Sequence, residues 1–326
     1  MCFEVVLCHF WNAEKDSALI LKPFSVAGSM AVMVFMFTAF LLTGQSIISR
    51  DKSRIRRRLH RLVVMHVAWA AIYFVCFAAA FIAGKGAFAG KSAVYMFEAL
   101  AGQIVLGHTL NATMWFQVSL IYITVILAVL YSFTEHRTAL IITFLAGVLA
   151  FVMQYSGANF ALFGKMSYAL KYPLGRMCEM LPLACMGIIF ADYGIMNRLQ
   201  ERRTLSIAVC TVLLLLAVMC RKYIPSASGF GYSGLYLNVT AMLLTAIFCL
   251  LPTDSLPLTA KQCITAVSRF TPGVYCMHRL AEYCLRALHV NISNSFMYCI
   301  VIFIVCLAAS FMISRVFTRA GRYLVE

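Results

Sequence analysis

The chain has 326 residues, 63% of them hydrophobic and 12% charged, with a mean hydropathy of +0.87. A soluble domain carries about 25% charged and about 45–50% apolar residues, so a water-soluble fold is excluded, and at about 20 residues per membrane span no length remains for a soluble catalytic domain. Lys and Arg number 27 against 12 Asp and Glu, a net +15. In so apolar a chain this excess orients helices and contacts membrane lipid rather than nucleic acid.

The first element, Met1 to Trp11, reads MCFEVVLCHFW and covers only about half of a 30 Å hydrocarbon core at about 1.5 Å per residue. It reads as the end of a first span whose beginning is missing. Apolar runs then predict spans near Val26–Ile48, Leu62–Ala83, Met114–Phe133, Ala139–Met153, Tyr172–Tyr193, Leu205–Cys220, Leu235–Leu251, Thr271–Leu288 and Ser295–Phe317. The expected fold is therefore an all-α polytopic membrane bundle of about ten transmembrane helices, the first truncated, forming one domain over residues 1–326. Taking the connections alternately, the densest basic loop, Arg50 to Arg61, falls inside, as do Arg198, Arg202 and Arg203. The positive-inside rule then predicts cytoplasmic termini. The longest outward connection, Gly84 to Thr113, has room for a re-entrant or short surface helix. The 13 Cys lie mainly in apolar runs without CxxC spacing, which argues for buried thiols and against a disulfide framework or a metal site.

Candidate chemistry follows the same order. His9 sits near the outer end of the first segment, where a titratable group beside hydrocarbon is either a functional group or an interfacial His next to Trp11. In SRDKSRIRRRLHRL, the residues Arg50, Arg54, Arg57 or Arg58, and Arg61 recur at helical spacing and would stack guanidinium groups on one face. Such forks suit phosphate recognition, and they serve equally as an orientation signal in contact with anionic lipid. Trp115 opens a span as a belt residue, Glu98 stands alone in the long outer connection, and Arg176 and Glu179 are three apart on one face. In TPGVYCMHRLAEYCLRAL, the break Thr271–Pro272–Gly273 precedes two helix-face pairs: His278 with Glu282, and Tyr275 with Arg279. They form either an acid–base pair or a polar seam between helices. P-loop, HExxH and GxSxG signatures are missing from the sequence.

The ordered segments VVLCHFW, AVMVFMFTAFLLTGQSI, RIRRRLHRLVVMHVAWAAIY, MWFQVSLIY, LPLACMGIIF and FTPGVYCMH resemble the bacterial membrane-bound acyltransferase family three. Members of that family carry a His at the end of the first span, an SGY-containing apolar stretch, an Arg-rich inner loop and a late Tyr-x-x-His. The resemblance implies a ten-helix membrane enzyme that transfers acyl groups, commonly acetyl from acetyl-CoA, to hydroxyls of surface carbohydrate. Carried over, the first-span His falls on His9, the Arg-x-x-Arg pair on Arg58 and Arg61, and the late pair on Tyr275 and His278. The family's first-span Arg has no counterpart, and the SGY-like element is degenerate at Thr38–Ala39–Phe40. These departures fit either an incomplete N-terminus or a diverged member with impaired transfer, and the short first segment favours the former.

The resemblance implies that His9 is the general base or a transient acyl carrier. Arg54, Arg57, Arg58 and Arg61 would hold the phosphates of acetyl-CoA or another acyl-CoA, with no metal. Tyr275, His278 and Glu282 would orient the acceptor or His9, and Trp115, Arg176 and Glu179 are supporting candidates. The implied partners are a cell-surface carbohydrate acceptor, acyl-CoA and membrane lipid, in a cell inner membrane. The alternatives are a carrier or flippase for a carbohydrate or polyisoprenoid precursor, in which intramembrane His, Glu and Arg would line a path, and a non-catalytic membrane scaffold.

Overall fold

A computed structural model describes residues 2–10, 30–84, 90–155, 168–220, 234–252, 256–290, 292–317, 321 and 324–325. Among them every regular element is helical. The helices are α1 (Cys2–Phe10), α2 (Ala31–Ile48), α3 (Lys52–Ile82), α4 (Ala93–Leu106), α5 (Trp115–Phe133, preceded by a 3-10 turn at Ala112–Met114), α6 (His136–Tyr155) and α7 (Tyr168–Asp192). They continue as α8 (Ile195–Glu201), α9 (Arg203–Cys220), α10 (Gly234–Leu250), α11 (Leu258–Arg269), α12 (Thr271–Ala287) and α13 (Ser295–Val316). Six of the described helices, α2, α3, α5, α6, α7 and α13, are long and apolar enough to cross a membrane, and α4, α9 and α10 contain shorter apolar stretches. In hydrocarbon a helix satisfies its own backbone polar groups, which is why so apolar a sequence takes this form.

The expected all-α membrane bundle is what the chain forms, and each predicted span matches a helix to within a few residues. The largest boundary difference is α3. It begins at Lys52, ten residues before the predicted Leu62, so the basic segment is the first part of the spanning helix itself. The predicted start at Val26 and the connection from 12 to 25 lie outside the described residues, as do most of 154–171 and 221–234. The long connection between α3 and α5 holds α4, capped at its start by Ser92 Oγ, which accepts from the Tyr95 amide at 3.2 Å, and at its end by Gly107 with φ 74°. That left-handed residue turns its amide back to the carbonyls of Gln103 and Gly102, a conformation that glycine adopts without steric cost.

The helices fall into two compact units, one containing Met1–Ala31, Arg61–Val118 and Thr253–Glu326, the other Val32–His60 and Ser119–Pro252. In the first, α1 packs on α12 and α13, and α12 packs on α13. Asn294 caps α13 through its Oδ1, which accepts from the Met297 amide at 2.9 Å. The amphipathic α11 was not expected from the apolar runs. It has no buried residue and occupies what the sequence suggested was an inner connection.

The second unit is built on close backbone approach. A Cβ added at Gly187 of α7 would lie 2.8 Å from the Phe37 carbonyl and 2.9 Å from the Leu41 amide of α2. One turn on, Ala191 faces Gly44, and Gln45 Nε2 donates to the Ala191 carbonyl at 2.5 Å. Small residues four apart let membrane helices touch along their backbones, where dispersion and hydrogen bonding replace the missing hydrophobic drive. Helix α6 packs on α7, and α9 packs on α10. Residues of α6, α7 and α10, among them Phe144, Gly147, Pro182 and Val239, line an apolar cavity of about 180 Å³. Asn238 also lines it and donates to Gln154 Oε1 at 2.7 Å.

Candidate active site

The polar interior of the first unit is assembled around α12. Phe270 ends α11, and Pro272 occupies the first turn of the next helix, where a missing amide costs nothing. The break read at Thr271–Pro272–Gly273 is therefore a helix start. From it, Tyr275, Cys276, His278 and Glu282 all point inward and are buried. Gly273 is needed because a Cβ there would meet Val325 at 2.9 Å and the Ser310 side chain.

His278 is completely buried, and His9 of α1 lies on it as a stacked ring, with centroids 5.2 Å apart and planes inclined by 20°. The sequence positions of these imidazoles differ by most of the chain, yet helix packing makes them one pair. Nδ1 of His278 lies 2.6 Å from the Tyr275 carbonyl. Its Nε2 is buried without a hydrogen-bond partner among the described residues. Nδ1 of His9 lies 3.4 Å from Nη2 of Arg279, whose guanidinium also covers the Phe10 ring at 5.1 Å. Phe10 in turn meets His278 edge-on at 5.9 Å.

Glu282 is not an acid–base partner of His278. Its two oxygens are taken by guanidinium groups, Oε2 by Arg279 at 2.8 Å and Oε1 by Arg286 at 2.5 Å. A carboxylate held by two cations is an anchor, and here it aims Arg279 at His9. Tyr275 donates its hydroxyl to the Thr113 carbonyl in the turn before α5 and packs its ring on Phe116 at 5.8 Å. The turn before α5 thus buttresses the residue whose carbonyl orients His278.

Behind the pair runs a chain of buried polar groups that the sequence did not single out. Tyr73 of α3 donates its hydroxyl to the Cys276 carbonyl at 2.8 Å and accepts from the Leu280 amide at 3.2 Å. Both groups belong to the continuous backbone of α12, on either side of His278, so the Tyr73 hydroxyl ties α3 to α12 there. Gln117 Nε2 donates to Cys276 Sγ at 3.0 Å, and its Oε1 meets His66 Nδ1 at 3.3 Å. His66 Nε2 lies 3.0 Å from the Gln103 carbonyl, and Gln103 Oε1 accepts from the amides of Leu110 and Asn111. The available signal was the spacing of His66, Trp69 and Tyr73 on one helix face, three amphipathic side chains inside an apolar run.

The arginines separate by face. Arg54, Arg57 and Arg61 are exposed along α3, and Arg54 pairs with Asp51 at 3.1 Å. Arg58 instead lies on the inward stripe with Ile55, and its Nε is buried with no partner among the described residues. Arg50, expected on the same helical face, lies outside the helix in the left-handed region with φ 56°, and donates to the Thr134 carbonyl at 2.8 Å. Asp51 Oδ1 accepts from Ser53 Oγ at 2.7 Å and from the Arg54 amide at 3.0 Å, capping α3. The Ser53 hydroxyl, followed by the Arg54 amide, holds the Asp51 carboxyl below its ordinary pKa.

The remaining candidates lie apart from the imidazole pair in their contacts. Trp115 is half-buried at the start of α5, edge-on to Phe116. Glu98 is exposed on α4. Arg176 and Glu179 pair with each other at 2.6 Å on α7, in the second unit, with Arg176 over the Tyr172 ring.

A multi-pass helical bundle with a stacked imidazole pair, one ring wholly buried and the other half-buried, oriented by a carbonyl on one side and an anchored guanidinium on the other, is equipped for proton handling inside a membrane protein. The acyltransferase domain model of acyltransferase family three matches residues 1–315, and the chain belongs to that family. No curated protein and no solved structure matches the chain.

Proposed function

We propose that this membrane acyltransferase is an O-acyltransferase that moves an acyl group, acetyl in the simplest case, from cytoplasmic acyl-CoA to a hydroxyl of a cell-surface polysaccharide or glycolipid. The observation that carries this reading is the His9–His278 pair: titratable rings, one of them wholly buried, in a chain of this family. Hydroxyl acylation requires removal of the hydroxyl proton, which imidazole performs near neutral pH. Tyr275, Arg279 and Glu282 hold the rings in place.

The donor's phosphates fit the basic end of α3. The buried Nε of Arg58, without a partner among the described residues, is a donor of the type a phosphate oxygen accepts from, and exposed Arg54, Arg57 and Arg61 add charge beside it. Acyl-CoA supplies an activated thioester; the chain's own residues bind its phosphates and handle the acceptor's proton. The protein is placed in the cell inner membrane, with cytoplasmic termini and lipid around the bundle, so that the basic turn meets a donor made inside.

The test is to express the chain in bacterial membranes, supply acetyl-CoA labelled in the acetyl group, and measure label as base-labile ester on surface glycan. Transfer that persists in detergent without a membrane gradient is the expected result. Gradient-dependent movement of a carbohydrate precursor with no ester formed would establish the carrier reading instead.

A further inference from the structure

The two imidazoles have partners of opposite hydrogen-bonding type, and this fixes which nitrogen of each ring is bare. A backbone carbonyl only accepts. The 2.6 Å contact of His278 Nδ1 with the Tyr275 carbonyl therefore requires a proton on Nδ1, which leaves Nε2 of the neutral ring as an unprotonated lone pair. That lone pair is buried and unpartnered among the described residues, an arrangement that is rare for a buried polar atom. A guanidinium only donates. His9 Nδ1 must therefore accept from Arg279, and the proton of the neutral His9 ring resides on Nε2. Glu282 holds the Arg279 guanidinium at 2.8 Å, so the two constraints belong to one built assembly.

Resting on the acyl-transfer reading above, we infer that His278, through its bare Nε2, is the base that takes the acceptor hydroxyl's proton, while His9 serves as the hydrogen-bond donor that steadies the oxygen of the acyl carbonyl. The rings, stacked with centroids 5.2 Å apart, then carry one acceptor and one donor between them, the two groups that attack of a hydroxyl on a carbonyl needs. In the step, the hydroxyl proton moves to His278 Nε2 as the hydroxyl oxygen bonds to the carbonyl carbon. Negative charge gathers on the carbonyl oxygen and is met by His9 Nε2–H. The carbon–sulfur bond then breaks, and the leaving thiolate takes the proton from His278, giving ester and free thiol. His278 is covered by His9 and by Phe10, both only half-buried at the last turn of α1, so an acceptor reaches the buried Nε2 only when these rings shift aside.

This assignment differs from the sequence expectation, which gave the base role to His9. The difference has a visible source, since Arg279 occupies the His9 nitrogen that would otherwise be the free lone pair.

The experiment has two arms. In the first, protein carrying nitrogen-15 histidine in nanodiscs is examined by NMR without substrate, the two rings being assigned by loss of signal in His9→Gln and His278→Gln. The expected result is an Nδ1–H tautomer for His278 and an Nε2–H tautomer for His9; either ring in the opposite tautomer overturns the inference. In the second arm, acetyl transfer is followed in the same preparations. His278→Gln, folded by its size-exclusion profile, is expected to lose about 100- to 10,000-fold in kcat. His9→Gln, which keeps an N–H donor, should retain far more activity than His9→Ala. Added imidazole should restore turnover to His278→Ala but not to His9→Ala. Equal losses in both glutamine variants, or imidazole rescue only at position 9, would return the base role to His9. If the wild-type chain transfers no acyl group while the tautomers are as stated, the acyl-transfer reading fails and the ring assignment stands.

Discussion

The two units solve the problem of packing in hydrocarbon by different means. The second unit brings backbones together at Gly44, Gly187 and Ala191 and encloses an apolar cavity between α6, α7 and α10. The first buries His66, Gln103, Gln117, His278 and Glu282, and joins α3 to α12 through a tyrosine hydroxyl. Small-residue contacts hold helices tightly without polar groups. Buried polar chains hold them and also fix the direction of each hydrogen bond, which chemistry needs. The comparison teaches that the imidazole pair belongs to a unit whose packing and hydrogen-bond directions rest on the same bonds, whereas the α2–α7 contact of the other unit can be perturbed as packing alone.

Substitutions that should break this comparison follow in order of effect. Glu282→Ala leaves Arg279 and Arg286 without their carboxylate and releases the group that aims Arg279 at His9. Removing one partner of a buried ion pair costs about 3–5 kcal/mol, and the partial exposure of both arginines argues for the lower end. A large fall in unfolding temperature in detergent, together with loss of transfer, is expected; Glu282→Gln should recover part of the stability. Gly187→Leu forces α2 and α7 apart and should cost about 1–3 kcal/mol or more through overpacking. The folded yield should drop while the protein that does fold keeps its histidine tautomers. If that folded fraction lost the tautomers, the division into chemistry and packing would be wrong.

Smaller changes sharpen the contrast. Gln117→Leu strands His66 Nδ1 and the Cys276 thiol, and leaving a buried polar group unpaired costs about 1–3 kcal/mol. Thermal unfolding would read this, with Gln117→Glu as a companion that keeps the acceptor. Tyr73→Phe should cost less, roughly 0.5–2 kcal/mol, because the Cys276 carbonyl and Leu280 amide are four apart in one continuous helix and are backbone partners of each other without the hydroxyl. The smallest effect is a pH dependence at Asp51. Its carboxyl is held below the ordinary carboxylate range by Ser53 and the Arg54 amide, so its capping contribution is present above the unfolded-state value and fades as pH falls through the lower folded-state one. Asp51→Asn should flatten that acidic limb of the unfolding temperature, and an unchanged limb would show that other groups produce it.

Much of the fold was legible because hydrocarbon imposes one rule on every span, so apolar runs such as Ser295–Phe317 mark helices directly. Helix α11 was not, since LTAKQCITAVSR is short and only modestly apolar and reads as a loop by hydropathy. The site was legible as a roster: His9, Tyr275, His278 and Glu282 do converge. Their pairing was not. Helical spacing put His278 with Glu282, but a carboxylate prefers guanidinium groups within reach, and Arg279 and Arg286 are three and four residues away. The role of Tyr73 was hidden because a tyrosine in an apolar run looks like core until the carbonyl it reaches, two hundred residues away in sequence, is known.

One consequence concerns length. Helix α3 carries Arg61 on its basic turn and Tyr73 at the wall of the imidazole site, and it runs unbroken between them. Twelve residues at about 1.5 Å each make a ruler of about 18 Å. On the acyl-CoA reading proposed above, a donor whose phosphates sat at Arg61 would bring its reactive carbon level with Tyr73 only through a slender arm of about that reach. The same reading would then give the donor a minimum span, and a compact acyl phosphate at the same arginine would fall short.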